Sequence, residues 1–201
     1  MPNLDNILKE IDYALNVLFE PAKAQTKDLE LNNQVKKVSQ RVMRVNHMGE
    51  VCAQALYRGQ ALSTNDASQK RIILEMCKEE KEHLDMLNAR MSELDGKMSY
   101  LNTIWYVSSF AIGAYVGTLE KNKSFGFIHE TEEQVEAHLD EYSEKLPSED
   151  KKSKKILGDI KMDETKHKNT AKDYGSTELS DGTKKLMSIS SNIMKKMSFY
   201  I

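Results

Sequence analysis

ILEMCKEEKEHLDMLNARMSEL, residues Ile73 to Leu94, is the stretch on which the fold turns. Its apolar seam reads Ile73, Met76, Glu80, Leu84, Leu87, Met91, Leu94, in alternating three- and four-residue steps that put every member on one face of a helix. Glu80 interrupts that seam at its centre, and His83 lies one turn further along the same face. A glutamate is rarely buried unless it is paired or bound to a cation. The flanks delimit the helix to about Ala67–Leu94. Ser63-Thr64-Asn65-Asp66 offers turn and N-cap chemistry, and Asp95-Gly96 ends the segment, with Gly96 suited to the C′ position.

The same anomaly recurs downstream. A fifth helical segment, about Ser124 to Leu146, carries Phe125, Ile128, Glu132, Val135, Leu139, Tyr142 and Leu146 on one face. Pro147-Ser148-Glu149-Asp150 breaks it and starts a sixth, which ends near Tyr174-Gly175. The seam of that helix reads Leu157, Ile160, Glu164, His167, Ala171, Tyr174. Upstream, a long helix from about Leu31 to Leu62 holds Glu50 beside the stripe Val42, Val45, Gly49, Ala53, Leu56. Met43, His47 and Tyr57 share the face of Glu50.

Spacing relates these acids to one another. Glu50 and Glu80 are 80 − 50 = 30 residues apart, and their midpoint, residue 65, falls in the Ser63–Asp66 turn. Glu132 and Glu164 are 164 − 132 = 32 apart, with a midpoint at Ser148 in the second turn. Residues equidistant from the turn of an antiparallel helical hairpin face each other at one height. Two hairpins therefore each present a carboxylate pair, and each second arm adds a histidine at i+3. The arrangement resembles the ferritin-like di-metal site of helical bundles, so the expected fold is all-α, a ferritin-like four-helix bundle with extra helices. Four buried carboxylates alone carry heavy desolvation penalties or take up protons, whereas two divalent cations neutralise them. Oxygen-rich ligands with two imidazoles favour iron or manganese over zinc, and iron suits oxygen chemistry. Glu79 and Asp163 each precede a candidate ligand and are placed to orient a histidine of the opposite hairpin. The competing reading is a structural bundle laced by salt bridges, because Glu-x-x-His alone is an ordinary helical polar pair.

The rest of the chain bounds the answer. Its 201 residues fit one domain, and 9 Gly, 3 Pro and 30% charged residues suit helices joined by short connections. A net charge of −2 offers no nucleic-acid footprint. Cys52 and Cys77 read as reduced core thiols. The N-terminal MPNLDNILKEIDYALNVLFE carries acids where a secretory signal needs a basic start. It reads as an amphipathic helix from Leu4 to Phe19 ending before Pro21, then a linker to about residue 30. Leu101–Leu119 has no charge but contains Asn102, Thr103, Ser108 and Ser109. It reads as a buried or membrane-facing crossover helix rather than a transmembrane span. The segment Leu179–Ile201 forms one more short amphipathic helix, open between an interfacial anchor and plain packing. His129 reads as a surface or packing residue, and His47 is open between packing and support of the site.

The runs RVNHMGEVCAQALYRGQAL (Arg44 to Leu62), EEKEHL, GFIHETEEQVEAHLD and DETKH resemble the demethoxyubiquinone hydroxylases, bacterial branch. The likeness extends to LNTIWY and the C-terminal LMSISSNIMKKMSFYI. It implies that Glu50, Glu80, His83, Glu132, Glu164 and His167 hold two iron ions. The implied reaction is hydroxylation of a prenylated benzoquinone or quinol ring with O2 in ubiquinone biosynthesis, with a reductant such as NADH. No dinucleotide fingerprint accompanies this. The resemblance also places the chain peripherally at the cytoplasmic side of the bacterial inner membrane, as a possible homo-oligomer or biosynthetic complex. His138 matches a family histidine near the site and is open between a catalytic relay and packing. Leu139 follows it where eukaryotic members tend to carry an aromatic, so ring-stacking details do not transfer. Two other classes remain: a ferritin-like iron-binding ferroxidase, and a non-catalytic lipid-binding bundle.

Overall fold

The computed structural model describes residues 4–19 and 25–201; Pro21, expected to stop the first helix, lies outside them. The described residues form seven helices and no strand: α1 Leu4–Phe19, α2 Asn33–Ser63, α3 Ala67–Glu93, α4 Asn102–Gly117, α5 Lys121–Lys145, α6 Lys151–Asp173 and α7 Asp181–Tyr200. The ends are set by local chemistry. Asn32 accepts from the amides of Gln34 and Val35 at 2.9 and 3.0 Å, and Asp66 does the same for Ser68 and Gln69 at 2.8 and 2.9 Å. Asp150 accepts from Ser153 at 2.9 Å. Each such cap is worth about 1 kcal/mol.

Two expectations about helix ends are corrected. The residue at C′ of α3 is Asp95, with φ 55°, while Gly96 follows at C″ and donates its N–H to the Met91 carbonyl at 2.8 Å. Aspartate tolerates the left-handed region better than most residues, and Lys27 pairs with it at 2.8 Å. A Cβ on Gly96 would stand 2.7 Å from Cε of Met91, a contact that a shift of the methionine tip would relieve. The terminal helix is not short: Ser180 caps it, and it runs 20 residues.

Helices α2 and α3 form one hairpin, α5 and α6 the other. Gln69, at the start of α3, donates to Ser124 near the start of α5 at 2.8 Å, whereas Arg90, near the end of α3, binds Asp150 at the start of α6 at 2.8 Å. The two turns therefore lie at opposite ends of a ferritin-like bundle, and α4 must carry the chain back along its whole length. Arg90 is 1% exposed and also reaches Asp28 and Glu93, both at 2.8 Å. This network pins the segment before α2 to the end of the bundle.

The return helix α4 lies against α2 at backbone contact. A Cβ on Gly113 would be 2.1 Å from the Leu56 carbonyl oxygen, and one on Gly117 would be 2.5 Å from that of Gln60. This seat buries α2 on both sides. Val42, Val45 and Ala53 are buried, and so are Met43, His47, Glu50 and Tyr57, so Glu50 does not merely flank a single stripe. Gly113→Ala is expected to force the two backbones apart at a cost of roughly 3 kcal/mol. A thermal melt should show Tm falling by about 6–12 °C; an unchanged Tm would mean that α4 is not seated there.

Candidate metal centre

Four helices bring six side chains to one height. Glu50 comes from α2, Glu80 and His83 from α3, Glu132 from α5, and Glu164 and His167 from α6; none is more than 4% exposed. Their donor atoms form two sets, Glu50–Glu80–His83–Glu164 and Glu80–Glu132–Glu164–His167, each with all four atoms within 4.8 Å of one another. Glu80 and Glu164 belong to both sets. The Nδ1 atom of His83 lies 3.3 Å from Glu80 and 3.4 Å from Glu164. The Nδ1 atom of His167 lies 3.0 Å from Glu80 and 3.2 Å from Glu164.

The far nitrogen of each imidazole is held by the opposite hairpin. His167 Nε2 meets Glu79 at 2.8 Å and His83 Nε2 meets Asp163 at 3.3 Å, the pairing expected from the sequence. These acids sit at the protein surface and turn both Nδ1 atoms inward. Tyr57 donates to Glu132, a partner absent from the sequence reading. The signal was present: Tyr57 lies seven residues after Glu50 on the same face. Gln54 donates to the Glu80 carbonyl at 3.4 Å.

Charge at this spot is strained without a cation. Burial, then Glu80, pushes the Glu50 carboxyl well above its usual range; burial, then Glu164, does the same for Glu132. Burial also works against Glu80, yet donation from His167 and His83 holds that carboxyl low. The His167 imidazole is driven up to about 12, against the effect of burial, by Glu164 and Glu80. The His83 imidazole is likewise held high, against the effect of burial, by Glu164, Glu50 and Glu80. Glu50 Oε2 is buried and has no hydrogen-bond partner among the described residues. An orphaned carboxylate oxygen among oxygen and imidazole donors fits a hard or borderline divalent cation.

Three other histidines lie off this cluster. His129 Nδ1 donates to the Lys168 carbonyl, 3.2 Å away. His47 is buried against Asn102 at 3.4 Å, and burial lowers its pKa to about 4. His138 is in neither donor set; its ring packs on Tyr142 with centroids 4.4 Å apart. Burial, then Lys195 and Lys145, lowers its pKa to about 3.

The sequence pattern of the family described as "Ubiquinone biosynthesis protein COQ7" matches residues 37–198. The chain belongs to the COQ7 family. Among its relatives, a protein of Nitrosospira multiformis is 41% identical over 208 residues, covering 100% of both chains. One of Xanthomonas oryzae pv. oryzae is 40% identical, covering 98% of this chain and 94% of its own. One of Burkholderia cenocepacia is 39% identical, covering 98% and 99%. All three are named 3-demethoxyubiquinol 3-hydroxylase. The matched segment of the COQ7 family contains all six clustered residues and His138.

The lowered pKa of His138 has a consequence for stability. Unfolding restores a value near 6.5, so the unfolded chain binds the proton more readily. The contribution is therefore present above about pH 6.5 and is lost as pH falls from there towards about 3. His138→Leu should flatten this part of the acid limb in pH-dependent urea melts. An acid limb with wild-type slope would show that His138 is not buried as a neutral imidazole.

Proposed function

We propose that this chain is a di-iron monooxygenase that hydroxylates the ring of a prenylated demethoxy-quinol with O2, in ubiquinone biosynthesis. The observation that carries the reading is the pair of donor sets sharing Glu80 and Glu164. Glu50 and His83 would hold one iron, Glu132 and His167 the other, and Glu80 and Glu164 would lie between them. Four carboxylates balance two divalent ions. When bound, iron supplies the activation of O2 that side chains cannot perform. NADH is the proposed source of electrons.

The chain's own groups do the rest. Glu79 and Asp163 fix the tautomer of each imidazole and keep Nδ1 free to coordinate. Tyr57 orients Glu132 through its hydroxyl. Apolar side chains including Met48, Leu87, Leu139 and Ile160 pack below the cluster and keep water from it. His138 packs its buried neutral ring on Tyr142, outside both donor sets, so packing rather than a proton relay is the role proposed for it.

The surface favours a lipid substrate over an iron-storage role. α1 exposes Leu4, Leu8, Ile11 and Leu15, α4 exposes Ile104, Val107 and Tyr115, and α7 exposes Leu186, Ile189, Ile193 and Met197. Stripes of this kind suit a protein lying on a membrane, here the cytoplasmic face of the bacterial inner membrane. Among the described residues no helix is long and apolar enough to cross one. A prenyl tail stays in lipid, so its ring must be collected at that surface.

Purified protein should bind about two irons per chain and convert the methoxy-methyl-prenylquinone when given NADH and O2. Glu132→Ala and Glu164→Ala should each lose stoichiometric iron in an anaerobic titration. Asp163→Ala should weaken iron affinity by roughly 10–100-fold. Iron loading without hydroxylation would favour a ferroxidase, and absence of bound metal would leave a structural bundle.

A further inference from the structure

Away from the metal cluster, α5 and α7 enclose an open cleft of about 410 Å³. Its walls combine three ammonium groups, Lys145, Lys195 and Lys196, with three rings, Tyr142, Phe199 and Tyr200. The one carboxylate in the lining is Glu141, and Lys145 already holds it at 2.6 Å. Lys195 reaches that carboxylate only at 3.9 Å, while its own side chain is 16% exposed. Burial lowers the pKa of Lys195, and Lys145 adds to this. Arg41, from α2, extends the charge: its guanidinium lies 5.7 and 5.8 Å from the Phe199 and Tyr200 ring centres. Neither Arg41 nor Lys196 has a carboxylate partner among the described residues. Four cations thus face one acid already in use.

The neighbourhood of this charge decides what it meets. Leu186, Ile189, Ile193, Met197 and Tyr200 recur at three- and four-residue steps along α7, and all are exposed. The apolar stripe runs directly beside Lys196. A soluble anion has no use for such a stripe, whereas a lipid presents phosphate and acyl chain together. Exposed aromatic rings beside lysines are the usual composition of a segment seated at headgroup depth.

We propose that the α5–α7 cleft binds the phosphate of an acidic phospholipid headgroup, with the α7 stripe entering the adjoining acyl region. The proposal rests on the membrane-surface part of the function above and adds a headgroup preference and its location. It requires neither iron nor turnover.

Flotation with phosphatidylglycerol and with phosphatidylcholine vesicles, at one ionic strength, tests it. Wild-type protein should partition into the anionic vesicles more strongly. Lys195→Ala/Lys196→Ala should weaken that partition by on the order of tenfold and leave binding to phosphatidylcholine unchanged. Iron content and hydroxylation of detergent-dispersed substrate should also be unchanged, which separates loss of this site from failure of the catalytic reading. Lys196→Glu alone, at an exposed position, gives the same comparison if the double variant does not fold. Equal partition of wild type into both vesicle types overturns the proposal. So does unaltered anionic binding by these variants, or displacement by millimolar inorganic phosphate as effective as that by anionic lipid.

Discussion

Four carboxylates meet at one buried level of this bundle, and everything around them answers the need to keep that charge tolerable. Glu80 and Glu164 sit between two imidazoles, and each imidazole is gripped from behind by an acid of the other hairpin. The sequence carries the device twice, as Glu79-Glu80 with His83 and as Asp163-Glu164 with His167. Each copy supplies two members of one donor set and one member of the other, so neither hairpin is complete alone. In the absence of metal the two imidazoles retain protons and Glu50 and Glu132 resist ionisation. That is a costly arrangement, one that two divalent cations would relieve.

Holding four helices in register around such a centre requires rigidity at both ends. The turn of each hairpin abuts the open end of the other, joined by Gln69 to Ser124 at one end and by Arg90 to Asp150 at the other. That antiparallel arrangement forces a crossover as long as the bundle. α4 supplies it, and its glycines let it lie against α2 without displacing the face that carries Glu50. α2 becomes the central helix, with Glu50 turned to the cluster and its opposite face sealed from water.

Most of this could be read from residues. The two turns, the heights of the four glutamates and the outer acids Glu79 and Asp163 all follow from spacing about a midpoint, because a helix converts sequence separation into distance. The double burial of α2 could not be read so, since its periodicity says nothing of a glycine-seated helix docking on its far side. Tyr57 escaped for a related reason: a hydroxyl among apolar neighbours reads as packing until a partner from α5 arrives. The left-handed position falls on Asp95, one residue before the glycine expected there, because the helix ends one residue earlier than its apolar pattern suggests. His138 shares a helix with Glu132, but six residues along that helix turn its ring towards Tyr142 and α7 instead of the donor sets.

The outer helices are coupled to the centre by short polar links. Tyr13 of α1 donates to Gln54 at 2.8 Å, and Gln54 in turn donates to the carbonyl of Glu80 at 3.4 Å. Glu10, one turn earlier, grips Arg58 of α2 through both carboxylate oxygens. One side of α1 is thus tied to the helices bearing Glu50 and Glu80, while the other exposes an apolar stripe. Val17, Tyr13, Ala14 and Leu18 add apolar packing against Val51, Ala55, Leu84 and Tyr106, so α1 is seated on those helices by packing as well as by polar contact. Were that exposed stripe to meet lipid as proposed, α1 would be the element joining the membrane surface to the helices of the centre.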